Sequence, residues 1–454
     1  MRILLWHGYL LRGSGSNILK ANIVRAWRAD GHDVLLMCQE REVEGLGFID
    51  EHGDFAPDNR SFSSMPTNEP TAPGFATLLR PAIGRILPVY VYDDYEGFTA
   101  KCYVDLTDDE LDDYIATNTT ALITAIRSFR PDEIITSHEV MGPSIARRAC
   151  SETGTTYTAQ LHGSALEYAV KLQERYRRAA EDGLGGAATV VGGSNYMVKE
   201  ASSVIPGWED KAAVVNPGCN VELFQPLERT PGAPVVGYVG KFIPQKGVHH
   251  FLAALGLVRT KQLRAVVVGF GDLDGPLRAL WAAMVSGDAP TMRTIAREGS
   301  LTQLTDFLNS GAVDLEYFTR AAHIKLEFTG RLDHGPLSAV LPEMDVLVVP
   351  SILAEAFGMV AAEAAACGVL PVVPLHSGIA EVGVALEDAI ERPGLLLFDP
   401  NHPIEGIAAR VDEILAISFE ERRDLASAAT ELARERWSWV TVARQLLNAA
   451  RGAG

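Results

Sequence analysis

Short apolar runs alternate with longer helical patterns along most of this chain. The runs lie at 1–6, 34–37, 133–136, 156–161 and 188–192 in the first half, and at 235–239, 264–268, 325–329, 346–349 and 370–373 in the second. Segments such as 17–29 and 360–367, which have helical composition and spacing, lie between them. This alternation predicts βαβ units, and continuous Val, Ile and Leu runs are typical of strands buried on both faces. We therefore predict an α/β fold with mostly parallel sheets.

The length of 454 residues exceeds what one hydrophobic core usually holds. A proline-rich, polar stretch at 225–234 separates the two series of strands, and we interpret it as an interdomain linker. We predict two Rossmann-like, doubly wound parallel-sheet domains facing a cleft, because ligands of such sheets bind beyond the carboxyl ends of the strands. Two stretches interrupt the pattern: 42–88 predicts a long excursion from the first domain, and 277–323 predicts extra helices. Whether these insertions serve function or structure stays open.

The chain carries 40 Lys and Arg against 58 Asp and Glu, a formal net charge of -18. Nucleic acids and anionic membranes are bound through cations, so we expect no nucleic-acid partner and no strong membrane attachment. Five cysteines, an odd number without a C-x-x-C pair, favour reduced thiols in the cytoplasm over a disulfide framework or a zinc site. We interpret the apolar N-terminus as a first strand rather than a signal peptide. The sequence leaves a homodimer open.

The segment 350–374 (PSILAEAFGMVAAEAAACGVLPVVP) holds the strongest functional motif. After an apolar strand, a loop carries Glu355, and a helix that begins near 357–358 carries Glu363. A helix start at the carboxyl edge of a sheet offers free N–H groups, here those of 357–360, to an anion. Glu355 can then contact a group just beyond a bound phosphate, and Glu363 can accept hydrogen bonds from a ribose diol. Spacing alone also fits an ordinary Ala-rich packed helix with a solvated glutamate.

The stretch 237–247 (GYVGKFIPQKG) places Lys241 and Lys246 in a loop after the first strand of the second domain. Two cations at that edge can hold a diphosphate as point charges. Taken alone, the loop fits solvated surface lysines better.

Weaker patterns lie elsewhere. The loop 12–17 (RGSGSN) lacks the third glycine of G-x-G-x-x-G, so it predicts a flexible loop at the cleft rather than a dinucleotide site. His138 and His162 each follow an apolar strand, where either a structural or a cleft role is open. Asp272 and Asp274 resemble a metal-binding D-x-D, but they lie in a turn where capping of the next helix is the simpler role. We expect no metal.

Taken in order along the chain, these motifs resemble the retaining family-4 glycosyltransferases of the GT-B fold. The resemblance rests on the E-x7-E of Glu355 and Glu363 within PS-x3-E-x-FG-x4-EA-x3-G, and on an ordered series of further motifs. These are the Ser14-Gly15 loop, Gly31-His32, His162, NPGCNVELFQP from Asn216, VGK-x4-KG, VVGFGD from Val267, FTGRL from Phe328, HSGIAEV and the Trp-rich RWSWVTVARQLL.

The resemblance implies an activity and a domain plan. The chain would move a hexosyl group from a UDP-, GDP- or ADP-sugar to a small-molecule or glycan acceptor, without a cofactor. Residues 1–228 would form an acceptor-binding domain and 229–435 a nucleotide-sugar-binding domain. Residues 436–454 would form a terminal helix that crosses back to the first domain.

The resemblance also implies residue roles. Catalytic roles would belong to His162, Glu355 and Lys246. Donor contacts would come from Gly15, Lys241, Lys246, Arg331, Glu355, Phe357, Gly358, Met359, Val360 and Glu363. Two positions depart from the family pattern: Lys241 stands where arginine is usual, and Ser14 where glycine is commoner.

The implied chemistry follows from charge. The two lysines and the helix start would stabilise negative charge on the leaving diphosphate, so no essential metal is expected. Retention would proceed by same-face attack assisted by the leaving phosphate. Three alternatives stay open: a nucleotide-sugar epimerase of the same fold, a dinucleotide-dependent oxidoreductase, and a non-catalytic sugar-nucleotide sensor. Isomers formed from donor alone would indicate the first, and tight NAD binding the second.

Overall fold

The computed structural model describes residues 1–92, 95 and 97–452. They form two compact units: Met1–Pro217 together with the chain from Trp439 onward, and Gly218–Ser438. The sequence-based division at 228–229 lies later in the chain, and which residues fold as an independent domain remains a prediction. The predicted α/β class with two doubly wound, Rossmann-like units is confirmed.

The first unit is built on a nine-stranded sheet. Its strands, with a separate β6–β7 pair, are β1 (Arg2–Trp6), β2 (Asp33–Met37), β3 (Glu51–Phe55), β4 (Phe62–Pro66), β5 (Phe75–Arg80), β6 (Ile86–Val89), β7 (Thr99–Cys102), β8 (Glu133–Ser137), β9 (Thr158–Gln160), β10 (Thr189–Gly192) and β11 (Ala212–Val214). Its first helices are α1 (Gly15–Ala29), α2 (Asp108–Phe129), α3 (Gly142–Thr153), α4 (Glu174–Gly185) and α5 (Asn195–Val204).

The nine-stranded sheet has the order β11-β10-β9-β8-β1-β2-β5-β3-β4. Its pairs are parallel except β3 with β4. From β1 the chain continues to β2 on one side, whereas β8 lies on the other. The loops that follow β1 and β8 are therefore neighbours at the carboxyl edge, at the position where doubly wound sheets bind ligands.

The segment 42–88 is more regular than its sequence predicts. The expected excursion contributes β3, β4 and β5, which extend the sheet beyond β2. The polar strand β4 is mostly exposed, so it lacks the apolar alternation that makes a strand recognisable. In β5, Ala76, Leu78 and Leu79 are fully buried. The sequence analysis did not predict β3, β4 and β5 as strands of this sheet.

The second unit contains a six-stranded, parallel sheet. Its strands are β12 (Val235–Val239), β13 (Arg264–Val268), β14 (Lys325–Gly330), β15 (Val346–Val348), β16 (Leu370–Pro374) and β17 (Leu397–Phe398). Its helices are α6 (Val248–Leu255), α7 (Asp274–Ser286), α8 (Ala289–Glu298), α9 (Thr302–Asn309), α10 (Leu315–His323), α11 (His334–Val340), α12 (Met359–Ala366), α13 (Ser377–Ala389), α14 (Pro403–Ala416) and α15 (Phe419–Trp437). Helices α7 to α10 confirm the extra helices expected at 277–323.

The strand order of this sheet is β14-β13-β12-β15-β16-β17. Numbered within the unit, it is the 3-2-1-4-5-6 order of dinucleotide-binding sheets. The order reverses between β12 and β15, so the loops after these two strands meet at the switch point. The sequence places Lys246 in one of these loops and Glu355 in the other.

Helix α12 shows why the motif segment folds as it does. Ala361, Ala362 and Ala364 to Ala366 are fully buried, and a helix that is apolar all round packs inside a core. Gly368, at φ +75°, lies just beyond the helix end, where a left-handed glycine is favoured. The helix begins at Met359, slightly later than the sequence predicts.

The terminal helix α16 (Trp439–Ala450) belongs to the first unit. It packs against α1, and the indole Nε1–H of Trp27 donates to the Ala443 carbonyl at 2.9 Å. Among the helices of the described residues, none is long and apolar enough to cross a membrane.

Candidate functional site

The switch point of the second unit holds two loops in close contact. Gly247, at φ +66°, ends the first loop, and a Cβ at this position would lie 1.9 Å from the Pro350 carbonyl oxygen. The Gln245 carbonyl accepts hydrogen bonds from the amides of Ile352 and Leu353 at 2.8 and 3.1 Å. Only glycine allows this approach, because any side chain would overlap the backbone of the second loop. The loops after β12 and β15 are thereby held together.

Lys246 and Glu355 form an ion pair across these loops. The Nζ of Lys246 bonds Oε1 of Glu355, and the Ser351 hydroxyl donates to the same oxygen at 2.8 Å. Their side chains are 32% and 20% exposed, so a ligand can reach both. Within the described residues, no hydrogen bond reaches Oε2 of Glu355. One carboxylate oxygen is fixed, and the other remains available to a ligand.

The start of α12 offers unpaired backbone donors beside this pair. Gly358 is the N-cap at φ +104°, where a Cβ would lie 2.6 Å from Ile379 Cγ1. In the described part of the chain, no hydrogen-bond acceptor is found for the amides of 357–360. Gly358, Met359 and Val360 are half-buried rather than enclosed in the core. Unpaired amides and the helix dipole suit an anion.

Phe357 differs from its neighbours because its side chain is 3% exposed. It packs edge-to-face on Trp437 with ring centroids 5.6 Å apart. Its side chain therefore anchors the start of α12.

Glu363 lies on α12 and is 5% exposed. Its Oε1 is 3.5 Å from Nε2 of His334, whose side chain is 43% exposed. The contact with Glu363 raises the pKa of His334 above its ordinary value. His334, at the start of α11, was not singled out in the sequence, since nothing local marks its approach to a helix far along the chain.

The remaining predicted donor contacts in this unit are exposed. Lys241 lies two positions beyond Val239, the end of β12, and is exposed to solvent. Arg331 follows β14, pairs with Asp333 at 3.2 Å, and places its guanidinium 5.1 Å from the ring centroid of Phe270. Phe270 is 44% exposed and follows β13. Arg331 and Phe270 thus form a flat cation–aromatic pair at the carboxyl edge of the sheet.

The first unit has its own cluster of polar groups at its switch point. Gly15 is the first residue of α1, directly after the N-cap Ser14. His7, which follows β1, bonds Ser137 Oγ through Nδ1 at 3.2 Å and Asn17 Oδ1 through Nε2 at 2.9 Å. The cluster lies where the loops after β1 and β8 meet, as the strand order requires.

His162 belongs to the same cluster, with its ring centroid 4.7 Å from that of His138. Burial, followed by the proximity of His138 and of Lys20, lowers the pKa of His162 well below its ordinary value. Within the described residues its Nε2 is buried without a hydrogen-bond partner. A neutral imidazole here can exchange a hydrogen bond with a ligand but cannot act as a cation.

Glu139 was missed in the sequence. Its carboxylate is fully buried, and Oε1 accepts hydrogen bonds from the amides of His162 and Gly163 at 3.1 and 2.8 Å. Burial raises the pKa of Glu139, and the amide donors oppose that shift. The side chain ties the loop after β8 to the loop that carries His162. The only signal for Glu139 in the sequence is that it directly follows His138.

A cavity of about 530 Å³ lies at the carboxyl ends of β2, β5 and β3 in the first unit. Its lining includes Gln39, Arg41, Asp54, Arg80 and Phe98. Arg80 and Asp54 form a bidentate pair at 2.7 and 2.9 Å. The Arg41 guanidinium lies 4.2 Å from the Phe98 ring centroid and has no carboxylate partner among the described residues. The cavity size falls within the ~300–1,000 Å³ typical of small-molecule sites.

Candidate metal ligands do not cluster. No group of three or more His, Cys, Asp or Glu suited to a metal occurs within 1–92, 95 and 97–452. Asp274 begins α7 and pairs with Arg278 at 2.9 Å, whereas the N-cap Leu273 makes no side-chain cap bond. The predicted capping role of the D-x-D pair is therefore wrong, because the helix begins at the second aspartate.

Comparison with known proteins finds a family match within the second unit. The family model described as Glycosyl transferases group 1 matches residues 311–432. Two proteins named D-inositol 3-phosphate glycosyltransferase, from Mycobacterium leprae (strain Br4923) and Mycobacterium marinum (strain ATCC BAA-535 / M), are 26% and 25% identical over 284 residues. The match covers 58% of this chain and 57% and 52% of theirs. The chain thus matches little more than half the length of these curated relatives.

Solved structures share the fold across nearly the whole chain. Sucrose-phosphate synthase (tll1590) from Thermosynechococcus elongatus has a TM-score of 0.59 at 17% identity, covering 99% of this chain and 98% of its own. Anabaena Alr3699/HepE in complex with UDP has a TM-score of 0.61 at 16% identity, covering 100% of both chains. The lipopolysaccharide outer core galactosyltransferase WaaB has 0.58 at 14%, covering 100% and 99%. The chain shares the GT-B fold with these structures, and the family model and relatives support glycosyl transfer of the family-4 type.

Proposed function

We propose that this protein is a retaining, metal-independent hexosyltransferase that uses a nucleotide diphosphate sugar. The observation that carries the proposal is the arrangement at the switch point of the second unit. There the Lys246–Glu355 pair lies beside the unpaired amides of 357–360. A related fold, Anabaena Alr3699/HepE, has been solved with UDP and with UDP-glucose, which supports a donor of this class.

The donor is bound through its diphosphate. The amides of Gly358, Met359 and Val360 bind phosphate oxygens, and Lys246 and Lys241 supply positive charge. Glu363 accepts hydrogen bonds from the ribose hydroxyls. Its buried carboxylate contacts His334 through one oxygen and retains acceptor capacity for a ligand. Arg331 contacts the base, for which UDP, GDP and ADP are the candidates.

The transfer step follows from where charge develops. The bond between the anomeric carbon and the phosphate oxygen breaks, and negative charge accumulates on the diphosphate. Lys246, Lys241 and the amides of α12 stabilise that charge. The acceptor oxygen bonds the anomeric carbon on the same face, and its proton passes to the departing phosphate. Glu355 binds hydroxyls of the sugar through Oε2. In the first unit, the neutral imidazole of His162 exchanges a hydrogen bond with a substrate hydroxyl.

The acceptor is bound by the first unit, in the cavity at the carboxyl ends of β2, β5 and β3. Arg41, which has no carboxylate partner among the residues that the structure describes, favours an acceptor with an anionic group. Curated relatives are named D-inositol 3-phosphate glycosyltransferase, so D-inositol 3-phosphate is the first acceptor to test. The enzyme acts in the cytoplasm, since its cysteines are all free thiols.

A donor screen followed by a transfer assay tests the proposal. A ligand that binds only the folded state raises the melting temperature, so UDP, GDP and ADP and their glucose conjugates are compared by thermal shift. The donor that binds is then incubated with D-inositol 3-phosphate in the presence and absence of EDTA. We expect equal transfer in both, with the product retaining the anomeric configuration of the donor. Metal-reversible loss of transfer in EDTA would overturn the metal-independent mechanism, and isomers formed without acceptor would indicate an epimerase.

A further inference from the structure

The residue Glu355 is enclosed in a closed cycle of hydrogen bonds. Its amide donates to Ser377 Oγ at 3.0 Å, and Ser377 Oγ lies 3.0 Å from His376 Nδ1. His376 Nε2 lies 2.9 Å from the Ser351 carbonyl oxygen. The Ser351 hydroxyl closes the cycle by donating to Glu355 Oε1 at 2.8 Å. Both the backbone and the carboxylate of Glu355 are thereby tied to one imidazole.

The direction of each hydrogen bond in this Glu355 cycle follows from its partners. A carbonyl oxygen only accepts, so His376 Nε2 must carry a proton. In the neutral imidazole, Nδ1 is then an acceptor and receives a hydrogen bond from the Ser377 hydroxyl. The oxygen of Ser377 remains free to accept from the Glu355 amide. Every donor therefore faces an acceptor in one tautomer of His376.

The backbone at Ser377 indicates that its hydroxyl has a role. Ser377 has φ +57°, in the left-handed region where glycine carries no steric penalty and other residues do. Gly378 follows directly, and its amide donates to the Glu355 carbonyl at 2.9 Å. A serine in a position that favours glycine retains its side chain at a conformational cost, and here that side chain connects Glu355 to His376.

The cycle also determines which oxygen of Glu355 is occupied. Ser351 and Lys246 both bond Oε1, which leaves Oε2 without a partner among the described residues. Ser351 is 2% exposed, and its hydroxyl lies closer to Oε1, at 2.8 Å, than to its other acceptor, the Leu353 carbonyl oxygen, at 3.2 Å. A carboxylate held through one oxygen presents the other in a fixed direction, and fixed acceptors bind a ligand without a further ordering cost.

We propose that His376 is a positioning residue for recognition of the donor sugar. It acts through Ser351 and Ser377, and it holds Glu355 so that Oε2 points to the sugar while Oε1 stays paired with Lys246. The inference rests on the proposed function, because it assigns a sugar contact to Glu355. It separates two parts of donor binding: the diphosphate, held by the α12 amides, and the sugar, held by Oε2.

Three variants test the cycle, each measured against the native protein by calorimetry with UDP, GDP and ADP and with their glucose conjugates. Ser377→Gly removes the hydroxyl with its two hydrogen bonds, and relief of the left-handed strain offsets part of that loss. His376→Ala removes both ring contacts. His376→Gln keeps an N–H donor for the Ser351 carbonyl. His402→Ala is the matched control, since His402 is exposed and makes no cap bond in the same unit.

The expected result is a split between the two ligand types. Ser377→Gly and His376→Ala weaken binding of the nucleotide–glucose conjugate about tenfold, which corresponds to the loss of one hydrogen bond. Their affinity for the nucleotide diphosphate changes less than about twofold. His376→Gln recovers part of the loss, and His402→Ala binds both ligands like the native protein. Equal loss of both ligands, or loss of neither, overturns the positioning role while leaving the proposed function in place. Failure of the native protein to bind any of the six ligands overturns both.

Discussion

Gly247 and Pro350 meet so closely that a Cβ on Gly247 would lie 1.9 Å from the Pro350 carbonyl oxygen. This contact joins the loops after β12 and β15, and it brings Lys246 to Glu355 across 109 positions of sequence. The ion pair therefore depends on a residue without a side chain. Loop packing at the switch point, rather than charge alone, assembles the candidate donor site.

Substitution of this glycine should damage both stability and ligand binding. Gly247→Ala adds the left-handed penalty of ~1–2 kcal/mol and a backbone overlap of ~1–3 kcal/mol. The matched control is Gly311→Ala, because Gly311 has φ +87° with nothing within 4 Å of its Cβ position. In urea unfolding, we expect the control to lose only the left-handed penalty and Gly247→Ala to lose more. Equal losses would show that the approach to Pro350 is not required.

Removal of the Lys246 ammonium should weaken binding of the nucleotide diphosphate. Lys246→Ala deletes a charge-assisted contact and leaves the Glu355 carboxylate unpaired beside the diphosphate, so we expect at least about tenfold weaker binding by calorimetry. Lys261→Ala is the control, since Lys261 is exposed and precedes β13, at the opposite edge of the sheet. Unchanged affinity in Lys246→Ala would remove Lys246 from the site.

Glu363 is expected to contact the ribose. Glu363→Gln keeps the shape of the side chain but replaces a carboxylate oxygen with an N–H donor. We therefore expect binding of the nucleotide diphosphate to weaken about tenfold. The 2′-deoxy form of the same nucleotide supplies the control. The native protein should prefer the ribose form, and the variant should lose that preference. A preference that survives the substitution would place the ribose elsewhere.

Most strands and helices of the second unit can be predicted from local sequence, whereas the contacts between its distant segments cannot. The apolar runs at 235–239 and 264–268 coincide with β12 and β13, because buried parallel strands need continuous Val and Leu. Helix α12 can be predicted from its run of alanines and from Gly368, which lies just beyond its C-terminal end. The pairing of Glu363 with His334 and the hydrogen bond from the Glu355 amide to Ser377 Oγ join segments that meet only after the sheet forms. No spacing rule indicates such contacts.

In the first unit, even some of the strands cannot be predicted from the sequence. Strand β4 is exposed and polar, so the burial pattern that marks a strand is absent from its sequence. Arg41 and Arg80 enter one cavity only because β2 and β5 are neighbours in the sheet, although β3 and β4 separate them along the chain. A sequence cannot place such residues together until the order of strands is known.

An anionic acceptor should depend on Arg41. Arg41→Gln removes a guanidinium that pairs with no carboxylate among the described residues, so the KM for D-inositol 3-phosphate should rise about tenfold or more with little change in donor KM. The control Arg148→Gln changes an exposed arginine on α3. Transfer to unphosphorylated inositol, where measurable, should be insensitive to Arg41→Gln. An unchanged KM for the phosphorylated acceptor would separate the cavity from acceptor binding.

Two adjacent buried histidines on α6 should make the protein sensitive to acid. His249 and His250 are 1% and 0% exposed with ring centroids 4.2 Å apart, and both nitrogens of His250 lack partners within the described residues. Burial lowers the pKa of His249 to about 4 and that of His250 to about 2. Both stay neutral in the folded state, whereas the unfolded chain binds protons below about pH 6.5. Stability is therefore full above pH 6.5 and falls as the pH drops towards 4, by about 1.4 kcal/mol per pH unit for each histidine.

His250→Leu tests this origin of the acid sensitivity. The variant removes one titrating group and two unpartnered nitrogens, so its free energy of unfolding should exceed that of the native protein by about 2 kcal/mol at pH 5. The difference should shrink as the pH rises to 7.5, where both histidines are neutral in either state. His402→Gln, at an exposed histidine, should reproduce the native pH dependence. Parallel stability curves for His250→Leu and the native protein between pH 7.5 and 5 would show that His250 does not set the acid limit.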